Sequence, residues 1–402
     1  MVEKRVAYIV ISISSLTVWE LLFNFNLFSA KILTGLVLLS ILVFGLSLNR
    51  LLIDYKFESK YFKFFLYVFF LYEFILIVRG WSFSYNDIKV YMQAGYIFWP
   101  FIIPLFVFFD KRLSTIGYLI KWIYYMGMFF LIIYLIFNTL LFKRVTAEIL
   151  VSTTYVCGFI LLNARYLRNR KVTLSFVLMS ISLLSLIYVA RRNGVVTISG
   201  FILAGYFINV WNKSRSFIFR FFPMIVCCAV FLMLSLTTFT TNLSAKLQAR
   251  ITEDTRSGLF KMFFVEMDDY MVFGKGMNGD YYFPMEEREY EDFTETAVEY
   301  RHIIENGYLQ LLLTGGIVHI ILFLLLLLPA AILGIFRSSN QFTMACGMLI
   351  LLWVLDMLIY GLPRLSLHYI LIWICVGICF KSSIRRMTNN EIETEFQNAN
   401  LY

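Results

Sequence analysis

The chain has 402 residues, of which 60% are hydrophobic and 15% charged, and its mean hydropathy is +0.75. That composition excludes a soluble globular domain. The net charge of +9 calls for no nucleic-acid partner, because the excess Lys and Arg lie in short loops of the kind that gather at a cytoplasmic membrane face.

Twelve apolar segments recur along the chain, at about 6–23, 30–48, 61–78, 94–109, 120–141, 149–163, 173–190, 195–211, 223–240, 307–335, 343–361 and 367–380. Each reads as a helix, since backbone groups inside about 30 Å of hydrocarbon must be bonded within their own segment. The expectation is an all-α integral membrane protein of about 12 transmembrane helices in a single polytopic domain, residues 1–402. The fourth segment is the weakest, because it contains Pro100 and Pro104; the fifth has Lys121 near its start. The first is followed by Asn24-Phe25-Asn26 rather than a small-residue cleavage site, so a cleavable leader is not expected. All six cysteines (157, 227, 228, 346, 375 and 379) fall inside these segments, where they read as small buried hydrophobes.

A cytoplasmic N-terminus puts Arg165, Arg168, Arg170 and Lys171, then Lys213, Arg215 and Arg220, then Lys381, Arg385 and Arg386 on the inner side. About 20 Lys and Arg fall inside against about eight in the short outer connections. The positive-inside rule therefore predicts a multi-pass protein of the cytoplasmic (inner) membrane with both termini cytoplasmic. Residues 241–305 become one large extracytoplasmic loop carrying 14 of the 26 acidic residues and seven Lys and Arg. Within it, the apolar spacing of Thr252–Gly276 predicts a short amphipathic helix lying on the bundle or interface. Gly274-Lys275-Gly276-Met277-Asn278-Gly279 is turn-rich, and 284–300 reads as an acidic, solvated cap. Residues 387–402 are polar and read as a short, mobile cytoplasmic tail.

Arg191 and Arg192, in Tyr188-Val189-Ala190-Arg191-Arg192-Asn193-Gly194, lie on the outer side against the positive-inside bias. Snorkelling to headgroups is the plain explanation. An anion site at the bundle mouth is the sharper one. Arg79, Arg250, Arg256 and Arg364 fall at the same depth, and guanidinium forks converging there would suit a diphosphate. His302 and Glu305 share a face if the tenth helix begins early, and either could serve as a general base. Asn306 equally reads as the N-cap of that helix, with Glu305 favouring its positive end. Glu20, Glu73, His319, Asp356 and His368 lie in or near the segments, where ionisable groups are costly, though a lone His there is more often packed and hydrogen-bonded than catalytic. There is no phosphate loop, HExxH, EF-hand or GxSxG pattern. The acids of 286–295 lack ligand spacing, so neither metal nor cofactor is expected.

Three features together resemble the O-antigen polymerase and O-antigen ligase family. One is the layout of many spans with a long outer loop between late ones. Another is Val189-Ala190-Arg191-Arg192-Asn193-Gly194. The third is the ordered run Arg250-Ile251-Thr252-Glu253-Asp254-Thr255-Arg256-Ser257-Gly258, Phe273-Gly274-Lys275-Gly276 and Asn306-Gly307-Tyr308-Leu309-Gln310 ahead of Gly315-Gly316. The resemblance implies a GT-C-like, metal-independent glycosyltransferase acting on polyprenyl-diphosphate-linked oligosaccharide in the lipid bilayer, with a flippase and a chain-length regulator as partners. It implies Arg191, Arg192, Arg250 and Arg256 at the donor diphosphate, Glu305 or His302 as base, and Asn306 and Tyr308 shaping the loop; Arg79 and Arg364 join the substrate-binding set. Ligases place a His directly before the Asn, where this chain has Glu305, and His319 stands where the family's second Gly of Gly-x-x-Gly would fall. That departure favours a polymerase over a ligase. A transporter or lipid-linked glycan flippase is the alternative from another class.

Overall fold

In the computed structural model, residues 2–24, 30–48, 51, 57–81, 84, 98–141, 156–188, 192–210, 255–282, 288–290, 293–295, 300–304, 306–362 and 365–398 are described. Most of these residues are helical. Its long helices are α1 (Val2–Asn24), α2 (Ala30–Leu48), α3 (Lys60–Gly80), α4 (Leu113–Leu141), α5 (Asn169–Tyr188), α6 (Arg192–Val210), α8 (Gly307–Phe336), α9 (Gln341–Asp356) and α10 (Leu367–Cys379). The shorter α7 (Thr255–Glu266) lies in the long polar segment, and α11 (Asn389–Asn398) lies near the C-terminus. By length and composition, α3 and α8 are apolar enough to cross a membrane. The ninth expected segment, with Cys227 and Cys228, lies outside the described residues.

Helix α3 shows why this is a membrane bundle. Phe62, Leu66, Phe69, Glu73 and Leu76 recur at helical spacing and are buried. The other faces carry Phe64, Tyr67, Leu71, Phe74, Ile75 and Val78, all exposed. In water that outward side would be polar; an apolar one suits lipid. The buried face packs on α8, which also contacts α9 and α10. Phe69, Phe323, Trp353, Tyr369 and Trp373 interlock at their junction, with ring centroids 5.2–6.4 Å apart.

Several expectations need correction. The fourth segment is a short helix, Trp99–Ile102, running into a 3-10 helix, Ile103–Phe108; Pro104 lacks the N–H that a continuing α-helix requires, whereas Pro100 sits in the first turn, where none is needed. The eleventh helix stops at Asp356 and turns through 357–360. The acidic stretch is not wholly irregular: Arg288–Tyr290 pairs with Phe293–Glu295, and Tyr281–Tyr282 pairs with Tyr300–Arg301, both antiparallel. The bundle is therefore all-α, but the polar segment adds a small β element.

The C-terminal residues also depart from the mobile tail their composition suggests. Thr388 and Glu391 form a reciprocal capping box, with the Thr388 N–H donating to the Glu391 carboxylate at 2.6 Å and the Glu391 N–H to Thr388 Oγ1 at 3.3 Å. Ile392 and Phe396, four residues apart, are fully buried. Phe396 packs on Tyr166 and Phe342 at 5.7 and 5.3 Å. Asn389 Oδ1 accepts from the Tyr166 hydroxyl at 2.5 Å and the Gln341 N–H at 2.8 Å. The same end of the bundle holds Glu58 against Ser382 and Ser383, and Asn340 against the carbonyls of Ile384 and Met387. Phe396→Ala should cost about 3–5 kcal/mol of docking energy. Hydrogen exchange should then accelerate over 389–398 while α8 stays protected.

Candidate functional site

The opposite end of the bundle carries Arg79, His302, Asn306 and Tyr308, and its geometry starts at Asn306. Asn306 sits in extended conformation and its side chain accepts from the Leu309 N–H at 3.0 Å, so it N-caps α8 as its residue type predicts. Its Nδ2 donates to Leu358 O at 2.7 Å. The Gly307 N–H is shared between Met357 O and Tyr360 O, and the Tyr308 hydroxyl donates to Val354 O at 2.8 Å. Asn306 and Tyr308 thus bind the mouth of α8 to the turn that ends α9. Asp356, the last residue of α9, accepts from Thr197 near the start of α6.

Because α8 begins at Gly307 with Asn306 as its N-cap, it does not reach back to His302, which follows the strand Tyr300–Arg301; Glu305 lies outside the described residues. Gln310 organises residues 302–304 instead. Its Nε2 donates to His302 O at 3.0 Å, and its Oε1 accepts from the Ile304 N–H at 2.8 Å. Phe263, Met267, Tyr281, Ile304, Leu312 and Leu313 form a separate apolar cluster that seats the polar segment on α8.

The central feature is a break inside α8. Gly316 has φ 66° and ψ −167°, outside the helical region. An uninterrupted helix would bond the Ile317 and Val318 N–H groups to the carbonyls of Leu313 and Thr314. Here the polar segment takes all four places. Ile317 N–H donates to Met271 O at 2.9 Å and Val318 N–H to Val272 O at 3.3 Å. In return, Lys275 N–H donates to Leu313 O and Gly276 N–H to Thr314 O, each at 2.8 Å. Unpaired and buried, each such group would cost about 1–3 kcal/mol. Phe273-Gly274-Lys275-Gly276 and Gly315-Gly316 are therefore two halves of one joint.

Neighbouring side chains close the joint. Arg79, in the last turn of α3, donates to Phe273 O at 2.9 Å and Gly274 O at 2.7 Å. Met277 N–H donates to Leu76 O at 3.1 Å, and the Tyr72 hydroxyl to Gly315 O at 2.5 Å. Lys275 pairs with Glu266 at 2.6 Å and donates to Asp280 O at 2.7 Å. Beneath the joint, His319 and Glu73 lie 3.0 Å apart, both buried.

Of the ten candidate residues, the described side chains are Arg79, His302, Asn306 and Tyr308. Arg79 fixes the inserted segment, Asn306 and Tyr308 fix the α8 mouth, and His302 is held through its main chain. The His302 Nδ1 is buried and has no hydrogen-bond partner among the described residues. Arg192 opens α6 and Arg256 lies in the first turn of α7; Arg191, Arg250, Glu305 and Arg364 lie outside the described residues. Gln310, Tyr72 and Thr314 went unassigned at the level of sequence. Only Gln310, inside the Asn306–Gln310 motif, stood where a role could have been sought.

Gly274 adopts φ +62°, and a Cβ there would lie 2.5 Å from Gly315 N. Gly274→Ala should therefore expel the segment from the break, at a cost on the order of 3 kcal/mol or more. Gly45, in α2, would place a Cβ in open space, so Gly45→Ala should be neutral or stabilising by up to about 1 kcal/mol. Thermal unfolding in detergent, with hydrogen exchange at Lys275 and Gly276, checks both.

Comparison with known proteins adds one assignment. Residues 174–324 match the family model described as O-antigen ligase. No curated protein and no solved structure matches the chain. The matched stretch contains Arg191, Arg192, Arg250, Arg256, His302, Glu305, Asn306 and Tyr308, together with both halves of the joint; Arg79 and Arg364 lie outside it.

Proposed function

We propose that this member of the O-antigen polymerase and ligase family is the polymerase, joining polyprenyl-diphosphate-linked repeat units into a surface polysaccharide. The observation that carries this reading is the joint between residues 271–276 and the α8 break, which links the family's two glycine motifs at one end of an apolar bundle. About twelve spans with both termini cytoplasmic put that end at the outer face, in a GT-C-like arrangement. Residues 241–305 then form the extracytoplasmic loop.

In the proposed reaction, the non-reducing hydroxyl of an incoming lipid-linked repeat attacks the anomeric carbon of the growing glycan. A glycosidic bond forms, the bond from that carbon to the diphosphate breaks, and polyprenyl diphosphate leaves. Glu305, or His302 in its place, takes the hydroxyl proton. Arg191, Arg192, Arg250 and Arg256, with Arg79 and Arg364 adding positive charge, stabilise the diphosphate as negative charge develops on it. That fixed charge does the work a divalent cation would otherwise do, so the transfer is proposed to be metal-independent. Asn306 and Tyr308 hold the α8 mouth, and so the approach of residues 302–305 to the reacting sugar. Glu305 in the place of the ligases' His favours chain growth over transfer to a final acceptor.

A gel profile of surface polysaccharide from the native host, with and without the gene, tests the reading. Single repeat units without a ladder establish a polymerase. Full-length polymer stranded on its carrier means a ligase, and an unchanged ladder moves a transporter to first place. Arg250→Ala and Arg256→Ala should each abolish the ladder with protein still in the membrane; normal chain lengths in both would remove their assignment. Glu305→Gln should slow chain growth by about 10²–10⁴-fold if Glu305 is the base.

A further inference from the structure

Two of the most deeply buried ionisable groups among the described residues, Glu73 of α3 and His319 of α8, take no part in the reaction above. Charged groups inside a membrane bundle are costly unless paired, and they mark function when they persist. His319 Nε2 lies 3.0 Å from Glu73 Oε1, and its Nδ1 lies 3.3 Å from Thr314 Oγ1. The Thr314 hydroxyl is 3.0 Å from Gln310 O, so its hydrogen is directed there and its lone pair faces the ring. Nδ1 is accordingly the N–H donor, a tautomer assigned from the network. One proton is then shared between Nε2 and Oε1, and the pair is neutral as a whole whichever atom holds it. Phe101 stacks against the imidazole at 6.0 Å and Tyr72 meets it edge-on at 6.0 Å, so the ring has little freedom to turn.

The position of the ring matters more than its burial. Thr314 lies before the Gly316 break and His319 after it, so the imidazole bridges the two halves of α8 where the backbone ladder is interrupted. Its other nitrogen reaches α3, the helix whose Tyr72 binds Gly315 O and whose Arg79 binds the carbonyls of Phe273 and Gly274. On the far side of Thr314 is Gln310, which clamps the main chain of His302 and Ile304. We propose that Glu73 and His319 are a positioning pair: a buried latch that holds the α8 break in the form that accepts residues 271–276, and with it the placement of residues 302–304. The latch stands on geometry alone; its consequence for glycan transfer rests on the polymerase reading.

The test uses the full-length protein in membranes, carrying Met277→Cys as a reporter. Met277 is 2% exposed, packs with Leu76 and Phe101, and directly follows the inserted segment, its N–H bonded to Leu76 O. A membrane-impermeant maleimide is applied and the label located by mass, with the buried native Cys346, Cys375 and Cys379 as the record of bundle integrity. Glu73→Ala and His319→Ala should raise labelling at 277 at least tenfold with the native cysteines silent. Glu73→Gln, whose amide can still donate to Nε2, should stay near the parent rate. A reporter that stays protected in both alanine variants overturns the latch. So does labelling that rises equally at the native cysteines, since the pair would then hold the bundle and not the segment. Should the alanine variants fail to reach the membrane, Thr314→Val decides: it keeps shape, removes the link across the break, and should raise labelling severalfold, while unchanged protection overturns the proposal. A normal polysaccharide ladder from a protein whose segment is freed overturns the positioning role and leaves the polymerase reading intact. A ladder indifferent to the gene itself strikes that reading and leaves the latch.

Discussion

A helix that breaks inside an apolar bundle leaves main-chain donors and acceptors that neither water nor lipid can satisfy, and that constraint organises this protein. At Gly316, α8 departs from helical geometry and gives up the bonds that would join Ile317 and Val318 to Leu313 and Thr314. Residues 271–276 supply the missing partners, two carbonyls and two N–H groups, so helix and inserted segment are each incomplete without the other. The rest of the site is arranged around this exchange. Arg79 orients the inserted carbonyls, Tyr72 takes the carbonyl of Gly315, and Gly274 and Gly316 permit an approach that a Cβ would prevent.

The bundle beneath is built as lipid requires. When the surrounding solvent is as apolar as the side chains, burial supplies little drive for helix association, and interlocking shapes and polar pins set the arrangement. The aromatic junction of Phe69, Phe323, Trp353, Tyr369 and Trp373 supplies the shape. Among the described residues, polar pins sit at helix ends and breaks (Asn306 and Asn340 as caps, Thr197 with Asp356, Tyr308 with Val354 O, Glu73 with His319) and also within spans, where Ser40 of α2 bonds Ser15 and Trp19 of α1.

Much of this was legible from residue order. The apolar runs at 6–23, 30–48, 61–78 and 307–335 correspond to long helices because runs of such composition have one stable form in hydrocarbon. Asn306 read as a cap and caps α8. The fourth segment read as weak for its prolines, and it is a short helix followed by a 3-10 turn. The C-terminal residues read as a tail because Ile392 and Phe396 are two apolar side chains in a polar stretch; the Thr388–Glu391 capping box is the local signal of a helix there. The strands of the acidic stretch left no such mark, since pairs two or three residues long have too little alternation to read.

By itself the sequence determined that the chain is built of apolar helices, where its charges cluster along it, and which of its ordered motifs resemble those of the O-antigen polymerase and ligase family. Those properties follow from composition, local periodicity and residue order. Only the tertiary structure decided that Phe273–Gly276 and Gly315–Gly316 mate, that Glu73 has His319 as its partner, and that Arg79 grips main-chain carbonyls. These contacts join residues nearly 40 to about 250 positions apart. No local pattern encodes them, because the need for a partner is written at each site while its identity is settled by which helix end the folded bundle brings within reach.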